Sequence, residues 1–246
     1  VFNDPLLAGR LVSVVAGLVT LVGIFFLAKE LFRSKKTALI ASVIYIIYPY
    51  SLLYDRMALY DSMLSMFAVW SLYLEVLLVR RRQIGLALLT AVVVGGGLLT
   101  KSGAIFFIYL MPFSILLFNF KSKHKYKELL KWLGLVLVVV AGAMAIQSIM
   151  RISPEFKYIA SKNHEFTLSF GEWILHPWSY FKTNIQVLNG FVVGYSTVPF
   201  LLLALLALFI DKKYVKEKLL LASWATLPYI AFACFAKLLY PRYILF

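Results

Sequence analysis

Three closely spaced ionisable residues form the first group in this chain that could do chemistry. Asp55, Arg56 and Asp61 lie in the segment YDRMALYDSM, residues 54–63, between two apolar runs. A carboxylate near an arginine can take a proton from a substrate hydroxyl, which typically speeds a reaction about 10²–10⁴-fold. In a purely structural role, Asp61 would complement the dipole of a helix first turn, with Arg56 paired to either carboxylate. The spacing leaves both interpretations open, with Asp61 and Asp55 as the candidate catalytic residues.

A second set of residues could bind a phosphate, because its members are cations or an imidazole at the ends of apolar runs. These candidates are Arg10, Arg56, Lys101, His176 and Arg242. Lys101 follows GGGLLT and could meet a phosphate with help from the amides that start the next helix. A lysine at a span end can also snorkel to lipid headgroups, and a lone His or Arg among aromatic residues is ordinary at a membrane interface. The residues alone do not decide between these roles.

The sequence predicts neither a metal site nor a cofactor. Its three histidines are dispersed, His124 falls on the opposite side of the membrane from His164 and His176, and Cys234 is the only cysteine. This set is too small and too scattered for the usual zinc ligand patterns. A Gly-rich nucleotide loop ahead of a soluble helix is also missing.

The elements that must position these residues are membrane helices. About 20 apolar residues cross a hydrocarbon core of roughly 30 Å, and the chain contains eight such stretches. We predict spans at about 5–28, 38–54, 59–79, 84–100, 102–120, 129–150, 191–210 and 219–240. The predicted fold is therefore all-α, a polytopic transmembrane helix bundle of about eight spans in a single transmembrane domain covering residues 1–246. A composition of 62% hydrophobic and 15% charged residues excludes a soluble globular protein of this length.

The basic residues reveal orientation. Alternate loops hold 16 of the 25 Lys and Arg residues, in the segments 29–36, 80–82, 121–131 and 212–218. Lys and Arg accumulate in cytoplasmic loops, so these four segments face the cytosol and the candidate residues face outward. The net charge of +14 then reflects orientation and anionic lipid contact and is a poor argument for a nucleic-acid partner. We predict a multi-pass protein of the plasma membrane with its active face outside.

One loop is large enough to hold structure of its own, namely residues 151–190 on the predicted outer face. It is rich in Trp, Tyr and Phe, whose rings favour the headgroup region. We expect short interfacial helices there, interrupted at Pro154 and Pro177.

Taken in order, these segments resemble the GT-C type polytopic glycosyltransferases, in the branch of protein O-mannosyltransferases and aminoarabinose transferases. Residues 2–32 resemble that family's second span, with Arg10 at its outer start. The tip from Arg56 to Asp61 resembles the R-x-A-L-x-D pattern, and LLTKSGAIFF resembles the T-K-G segment with Ser102 inserted before Gly103. HPW and PRYILF have counterparts in the later loop and final spans.

The resemblance implies an inverting transfer of a sugar from a polyprenyl-phosphate donor to a lipid, glycan or protein acceptor outside the cell. Asp61 would correspond to the family's second-loop acid, and Lys101, Arg10 and Arg242 to cations that face the carrier phosphate. The family's principal acid lies in its first outer loop, ahead of the position matching Val1. We therefore expect this chain to be a piece that is inactive alone.

Two other classes remain open. A transporter or flippase of a lipid-linked or anionic substrate would have interrupted spans and charges near the midplane, whereas these charges lie at span ends. A non-catalytic scaffold would use the same polar residues as a solvated rim.

Overall fold

The computed structural model describes residues 4–210 and 212–244.

The first long helix of the bundle is fixed by signals at both of its ends. Helix α1, Pro5–Phe32, begins where the Asp4 carboxylate accepts the N–H groups of Leu6 and Leu7, as an N-cap residue does. It ends at Arg33, whose backbone is left-handed, and Ser34 then caps α2, Lys35–Ile47.

The second predicted span is two helices rather than one. Pro49 begins a short helix α3, Pro49–Tyr54, and Tyr48 before it is extended. The residue before a proline is forced out of the helical conformation, which explains the break within the predicted span 38–54.

The next two spans are regular, and the fifth is not. Helices α4, Asp61–Arg81, and α5, Ile84–Thr100, are joined by a tight turn at Arg82. After Lys101 the chain passes through Ser102–Ala104 in a 3₁₀ turn, α6, Ile105–Leu110, and a 3₁₀ segment Met111–Leu117. The predicted fifth span, 102–120, is therefore short and irregular.

The second half of the chain contains helices of mixed length. The order is α7, Lys125–Gln147; α8, Lys157–Phe166; α9, Phe170–Leu175; α10, Phe181–Ser196; α11, Val198–Phe209; and α12, Val215–Phe235. The short helices expected between 151 and 190 are α8 and α9, while α10 begins inside that predicted loop. Helices α10 and α11 meet at an angle of 101°, at Thr197, whose φ is 59°.

The described residues are helical and contain no strand, apart from an isolated bridge between Thr167 and Ala236. Four helical stretches are long and apolar enough to cross a membrane, and a fifth is added if the bent pair α10–α11 is one span. These four are Pro5–Phe32, Asp61–Arg81, Lys125–Ile152 and Lys212–Phe235. A helical membrane bundle is confirmed, but the predicted count of about eight spans is not, because α2, α5 and the helical stretch Ser102–Leu117 fall below the required length.

Close packing holds the long helices together. A Cβ added at Gly142 of α7 would lie 2.8 Å from the Cβ of Ala91 on α5. On α5, a Cβ at Gly95 would lie 2.8 Å from the Cβ of Ile146. Small residues allow such close approach of helix backbones in a membrane. The close contact between α5 and α7 fixes the position of α5, which is followed directly by Lys101.

Ion pairs tie the helices at the end of the bundle that carries Arg80, which we call the Arg80 end. Arg80 of α4 lies 2.8 Å from a carboxylate oxygen of Glu30 on α1 and 3.7 Å from one of Glu217 on α12. Arg82 lies 3.3 Å from Glu128 on α7. The four basic segments predicted to share one face thus meet at one end, and the opposite end carries Asp61.

Candidate functional site

The site begins at Asp61, the first residue of α4. Its side chain is only 1% exposed, because the first turn of α4 packs under the preceding segment, where the Ser62 hydroxyl donates to the Tyr54 carbonyl. A carboxylate in a helix first turn is favoured by the helix dipole. One of its oxygens, Oδ2, is buried without a hydrogen-bond partner among the described residues.

Lys101 supplies the counter-charge. It follows the last residue of α5 in an extended conformation, which lets its side chain reach α4. Its Nζ atom donates to Oδ1 of Asp61 at 2.9 Å, and the Lys101 side chain is 15% exposed. The same ammonium lies 4.9 Å from the ring centre of Tyr243 and 5.5 Å from that of Tyr60, within cation–π range.

Arg242 completes the group from the far end of the chain. It lies in a 3₁₀ turn, Pro241–Ile244, after α12. Its guanidinium carbon is 5.0 Å from the Tyr240 ring centre and 6.0 Å from that of Tyr60, so Tyr60 contacts both cations. The Arg242 Nε atom is buried without a partner among the described residues. We call Asp61, Lys101 and Arg242 with these tyrosines the Asp61 cluster.

The segment that carries Arg242 is held in place by an amide from α10. The Asn184 side chain donates to the carbonyls of Ala236 at 2.8 Å and Ala233 at 3.2 Å, which are orphan groups at the end of α12. The Tyr50 hydroxyl donates to the carbonyl of Pro241. These contacts fix the turn just before Arg242.

The segment around α8 and α9 docks on the same region. The Leu168 amide donates to the Phe235 carbonyl at 2.7 Å, and the Lys237 amide donates to the Phe166 carbonyl at 2.8 Å. The Lys237 ammonium lies 3.2 Å from a carboxylate oxygen of Glu172. The backbone N–H of Ser169, helped by the Ser169 hydroxyl and by Lys237, lowers the pKa of Glu172 to about 2.

Asp55 lies in a different environment from Asp61. Its Oδ2 accepts the Tyr45 hydroxyl at 2.7 Å, and it sits against Gly17 of α1, where an added Cβ would come within 2.6 Å of the same oxygen. The carboxylate lines a cavity of about 310 Å³ between α1, α2, α4 and α12, together with Ser65 and Trp224. Its hydrogen bond to Tyr45 ties α3 to α2.

The remaining predicted residues do not join the Asp61 cluster in the part of the chain described. Arg10 and Arg56 are exposed and line a separate groove. The pairing of Arg56 with Asp55 or Asp61, which belonged to the purely structural interpretation, is absent among the described residues. Lys101 pairs with Asp61, and the Tyr45 hydroxyl donates to Asp55. His176 is exposed at the end of α9.

No three His, Cys, Asp or Glu side chains within residues 4–210 and 212–244 are grouped so that they could hold a metal ion. The chemistry available at the Asp61 cluster is therefore that of one carboxylate, two cations and several phenols.

A comparison of the chain with known families gives a match to one model. Residues 1–146 match the model of the dolichyl-phosphate-mannose-protein mannosyltransferases. The chain belongs to this family. The matched part includes Asp61 and Lys101, whereas Arg242 and the docked segment lie beyond it. No curated protein and no solved structure matches the chain.

Membership of the mannosyltransferase family confirms the resemblance found in the sequence. Together with the long apolar helices it shows a multi-pass membrane glycosyltransferase, of a family that uses lipid-linked sugar donors. Ionisable groups in membrane helices mark candidate functional sites, which makes the Asp61 cluster the candidate site of this chain.

Sequence reasoning did not assign four residues at or beside the Asp61 cluster, namely Tyr60, Tyr240, Tyr243 and Asn184. Tyr60 and Tyr243 stand next to Asp61 and Arg242 in the sequence, so an aromatic residue beside each charge was the available signal. Asn184 lies in a stretch without any motif, and nothing in the sequence connects it with the end of α12.

Proposed function

We propose that this protein takes part in moving a sugar from a polyprenyl-phosphate carrier to an acceptor hydroxyl on the extracytoplasmic face of the plasma membrane. The observation that carries the proposal is the position of the Lys101 ammonium. It lies 2.9 Å from the buried Asp61 carboxylate and against the same tyrosine as Arg242. One carboxylate facing two cations leaves an excess of one positive charge for an anionic substrate.

The chemistry of the transfer explains why such an excess is useful. The bond between the sugar C1 and a carrier phosphate oxygen breaks, and a bond between C1 and the acceptor oxygen forms with inversion. The acceptor proton passes to a carboxylate, and the phosphate changes from a singly charged diester to a monoester that gains one negative charge. Fixed cations in a site shielded from water stabilise charge that develops in this way.

Each residue of the Asp61 cluster then has a role. Lys101 and Arg242 bind the carrier phosphate and stabilise its added charge. Asp61 holds Lys101 through Oδ1, and its second oxygen, which has no partner among the described residues, accepts a hydroxyl of the substrate. That same Asp61 oxygen takes the acceptor proton, while Asp55, bonded to Tyr45, fixes α3, the helix that leads to Asp61.

The two carboxylates can be separated by matched variants in the full-length protein. We expect Asp61→Asn to lower the rate of sugar transfer about 10²–10³-fold, because Lys101 loses its anchor and the site loses a hydrogen-bond acceptor. Asp55→Asn keeps an acceptor for Tyr45 and should cost less than about 10-fold. The assay measures sugar released from mannosyl phosphopolyprenol in isolated membranes. Equal, wild-type rates in both variants would remove the assignment.

Transport of an anionic lipid is the second candidate, and the break between α10 and α11 favours it. Interrupted helices that line a substrate path are typical of transporters, and these two helices meet at 101°. Transfer is preferred because the charged groups gather at the Asp61 end and not at this break, where Ser196 bonds to Tyr48 at 2.5 Å. Flipping of a fluorescent lipid phosphate by reconstituted protein, without any sugar donor, would support transport instead.

A further inference from the structure

Two arginines that were expected to bind the carrier phosphate lie together in a groove outside the Asp61 cluster. Arg10 is in the second turn of α1, and Arg56 follows α3. Both side chains are exposed and line one groove of about 750 Å³. Neither side chain forms a hydrogen bond or an ion pair with any described residue. No carboxylate lines this groove, although Arg56 also lines an adjoining cavity with Asp55.

The rest of the groove is apolar. Its walls are formed by Val14, Pro49, Leu52, Leu53 and Met57. Val14, Leu53 and Met57 are 39%, 45% and 42% exposed, so their side chains are open to a ligand. The groove thus combines a doubly positive end with a wall suited to hydrocarbon.

A packed segment separates this groove from the Asp61 cluster. The chain between α3 and α4 lies on α1, where the Ser13 hydroxyl donates to the Leu59 carbonyl at 2.9 Å. Close by, a Cβ on Gly9 would come within 2.9 Å of the Ala58 side chain. Arg56 precedes this contact and Asp61 follows it, so the two charged residues leave the segment at its opposite ends.

Arg10 and Arg56 therefore face the same groove, whereas Lys101 and Arg242 belong to a different site. Lys101 and Arg242 both contact Tyr60, and neither of them lines the groove. A carrier phosphate bound at Lys101 would leave the charge of the groove unbalanced. A second anion bound between the two arginines would neutralise it.

We propose that the groove binds a second phosphate-headed lipid, distinct from the sugar donor that reacts at the Asp61 cluster. The headgroup lies between Arg10 and Arg56, whose guanidinium groups match the oxygens of a phosphate in pairs. The acyl or prenyl chain lies along Val14, Leu53 and Met57. This inference rests on the proposed function, because it assigns the reacting phosphate to Lys101 and Arg242.

The apolar wall favours a lipid over free phosphate. Inorganic phosphate would satisfy the two arginines but leave the wall uncovered, whereas the hydrocarbon chain of a lipid covers the wall as well. A lipid phosphate uses both parts of the groove.

Binding to the purified full-length protein in detergent tests the proposal. The probes are dioctanoyl phosphatidic acid, dioctanoylglycerol with the same chains and no phosphate, and inorganic phosphate alone. We expect phosphatidic acid to bind at least about 10-fold more tightly than either of the others. The double variant with Arg10→Gln and Arg56→Gln should lose about 10-fold or more of that affinity.

The matched control removes two exposed cations from the same predicted face, with Arg151→Gln and Lys157→Gln. Each of these contacts a neighbouring aromatic ring, and neither lines the groove. This control should bind phosphatidic acid like the wild type. Equal loss of affinity in both double variants would mean that the lipid is attracted only by the general positive charge. If inorganic phosphate bound as tightly as phosphatidic acid, the groove would be a simple anion site. Either result overturns the proposal.

A third variant separates this proposal from the proposed function. Lys101→Met should lose sugar transfer and keep phosphatidic acid binding. If Lys101→Met loses lipid binding as strongly as the arginine variant does, the two groups form one site and the inference is wrong. If it transfers sugar normally, the proposed function fails, while the lipid-binding result still decides the inference.

Discussion

The two ends of α4 carry ion pairs that differ in how completely their charges are balanced. At the Arg80 end, Arg80 and Arg82 pair with the carboxylates of Glu30, Glu217 and Glu128, so each of these two arginines has at least one carboxylate partner. At the Asp61 end, a single carboxylate faces Lys101 and Arg242, and Asp61 Oδ2 and Arg242 Nε lack partners within residues 4–210 and 212–244. Buried polar groups are normally satisfied. The difference supports the proposed function, in which the Arg80 end joins helices and the Asp61 end binds an anionic substrate.

The largest effect expected from this difference is on catalysis. Lys101→Met should reduce sugar transfer about 10²–10³-fold, because the carrier phosphate loses a fixed cation. Arg80→Met, the matched change at the other end, should reduce it less than about 3-fold, since its partners only connect helices. Initial rates in membranes, normalised to folded protein, give the comparison. Similar losses in both variants would show that the two ends are not functionally distinct.

The second effect is on stability. Lys101→Met leaves the buried Asp61 carboxylate without its cation, which should cost about 3–5 kcal/mol. Adding Asp61→Asn to the same protein should recover most of that lost stability, because the uncompensated buried charge is removed. Sugar transfer should not return, because the Lys101 ammonium is still missing. Arg80 and Glu30 are 20% and 26% exposed, so Arg80→Met should cost about 1 kcal/mol. Unfolding in detergent measures all three. Failure of the double variant to recover stability would contradict the assigned ion pair.

The Asp61 end could be predicted in outline from the sequence because charge is rare in this chain. Asp61, Lys101 and Arg242 each interrupt an apolar run, and the positive-inside rule placed all three on one side. The pairing itself could not be predicted, because Arg56 is nearer to Asp61 in sequence than Lys101 is. Only the extended backbone at Lys101 decides which cation reaches the carboxylate.

The fold was predicted as a class but not in its breaks. Hydropathy detects a run of apolar residues and does not register where the backbone turns within it. Pro49 ends α2, Thr197 takes a positive φ between α10 and α11, and 3₁₀ geometry extends over Met111–Leu117. The break at Pro49 has a local cause, the proline itself, which the hydropathy of the segment does not record.

Between its two charged ends, α4 carries Glu75, and this residue provides a control on both. Glu75 is 1% exposed, and neither carboxylate oxygen has a partner among the described residues. Replacing an unsatisfied buried acid by an apolar residue of similar volume should stabilise the protein, by about 1–3 kcal/mol. We therefore expect Glu75→Leu to raise the midpoint of thermal unfolding and leave sugar transfer within about 2-fold of wild type. A loss of sugar transfer without a loss of stability would place Glu75 in the site. It would contradict the division of α4 into one structural and one functional end.

A smaller effect is expected from the amide that positions Arg242. Asn184→Ala removes the donor to the carbonyls at the end of α12 and frees the turn that leads to Arg242. Asn189 is the matched control, because it lies on the same helix and also contacts α12, through the Tyr229 hydroxyl at 2.8 Å. We expect Asn184→Ala to lower the transfer rate at saturating donor about 10-fold, and Asn189→Ala to change it less than about 2-fold. If both variants lose the same stability but only Asn184→Ala loses rate, the role is one of positioning. Equal rates would contradict it.

The smallest effect expected is a pH dependence in the segment that docks beside the Asp61 end. The pKa of Glu172 in the folded protein is about 2, below its ordinary value of 4.5, so the charged form is favoured by folding. A lowered carboxyl pKa contributes stability that is fully present above about pH 4.5 and is lost as pH falls toward 2. We expect the amides of Leu168 and Lys237, which pair the two segments, to exchange hydrogen faster across this range, after correction for intrinsic rates.

The control for this pH dependence is Glu165, which pairs with Lys162 on the exposed face of α8, where the two side chains are 55% and 67% exposed. Glu172→Gln should remove the acid dependence and leave exchange fast at every pH, because Lys237 and the Ser169 amide lose their ionised partner. Glu165→Gln should keep the wild-type profile, since a solvated pair of this kind contributes little. If the Glu172 variant kept the acid transition, another carboxyl would have to hold this segment against the end of α12. The position of Arg242 would then depend on Asn184 and Tyr50 alone, so the charge balance at the Asp61 end would not respond to Glu172.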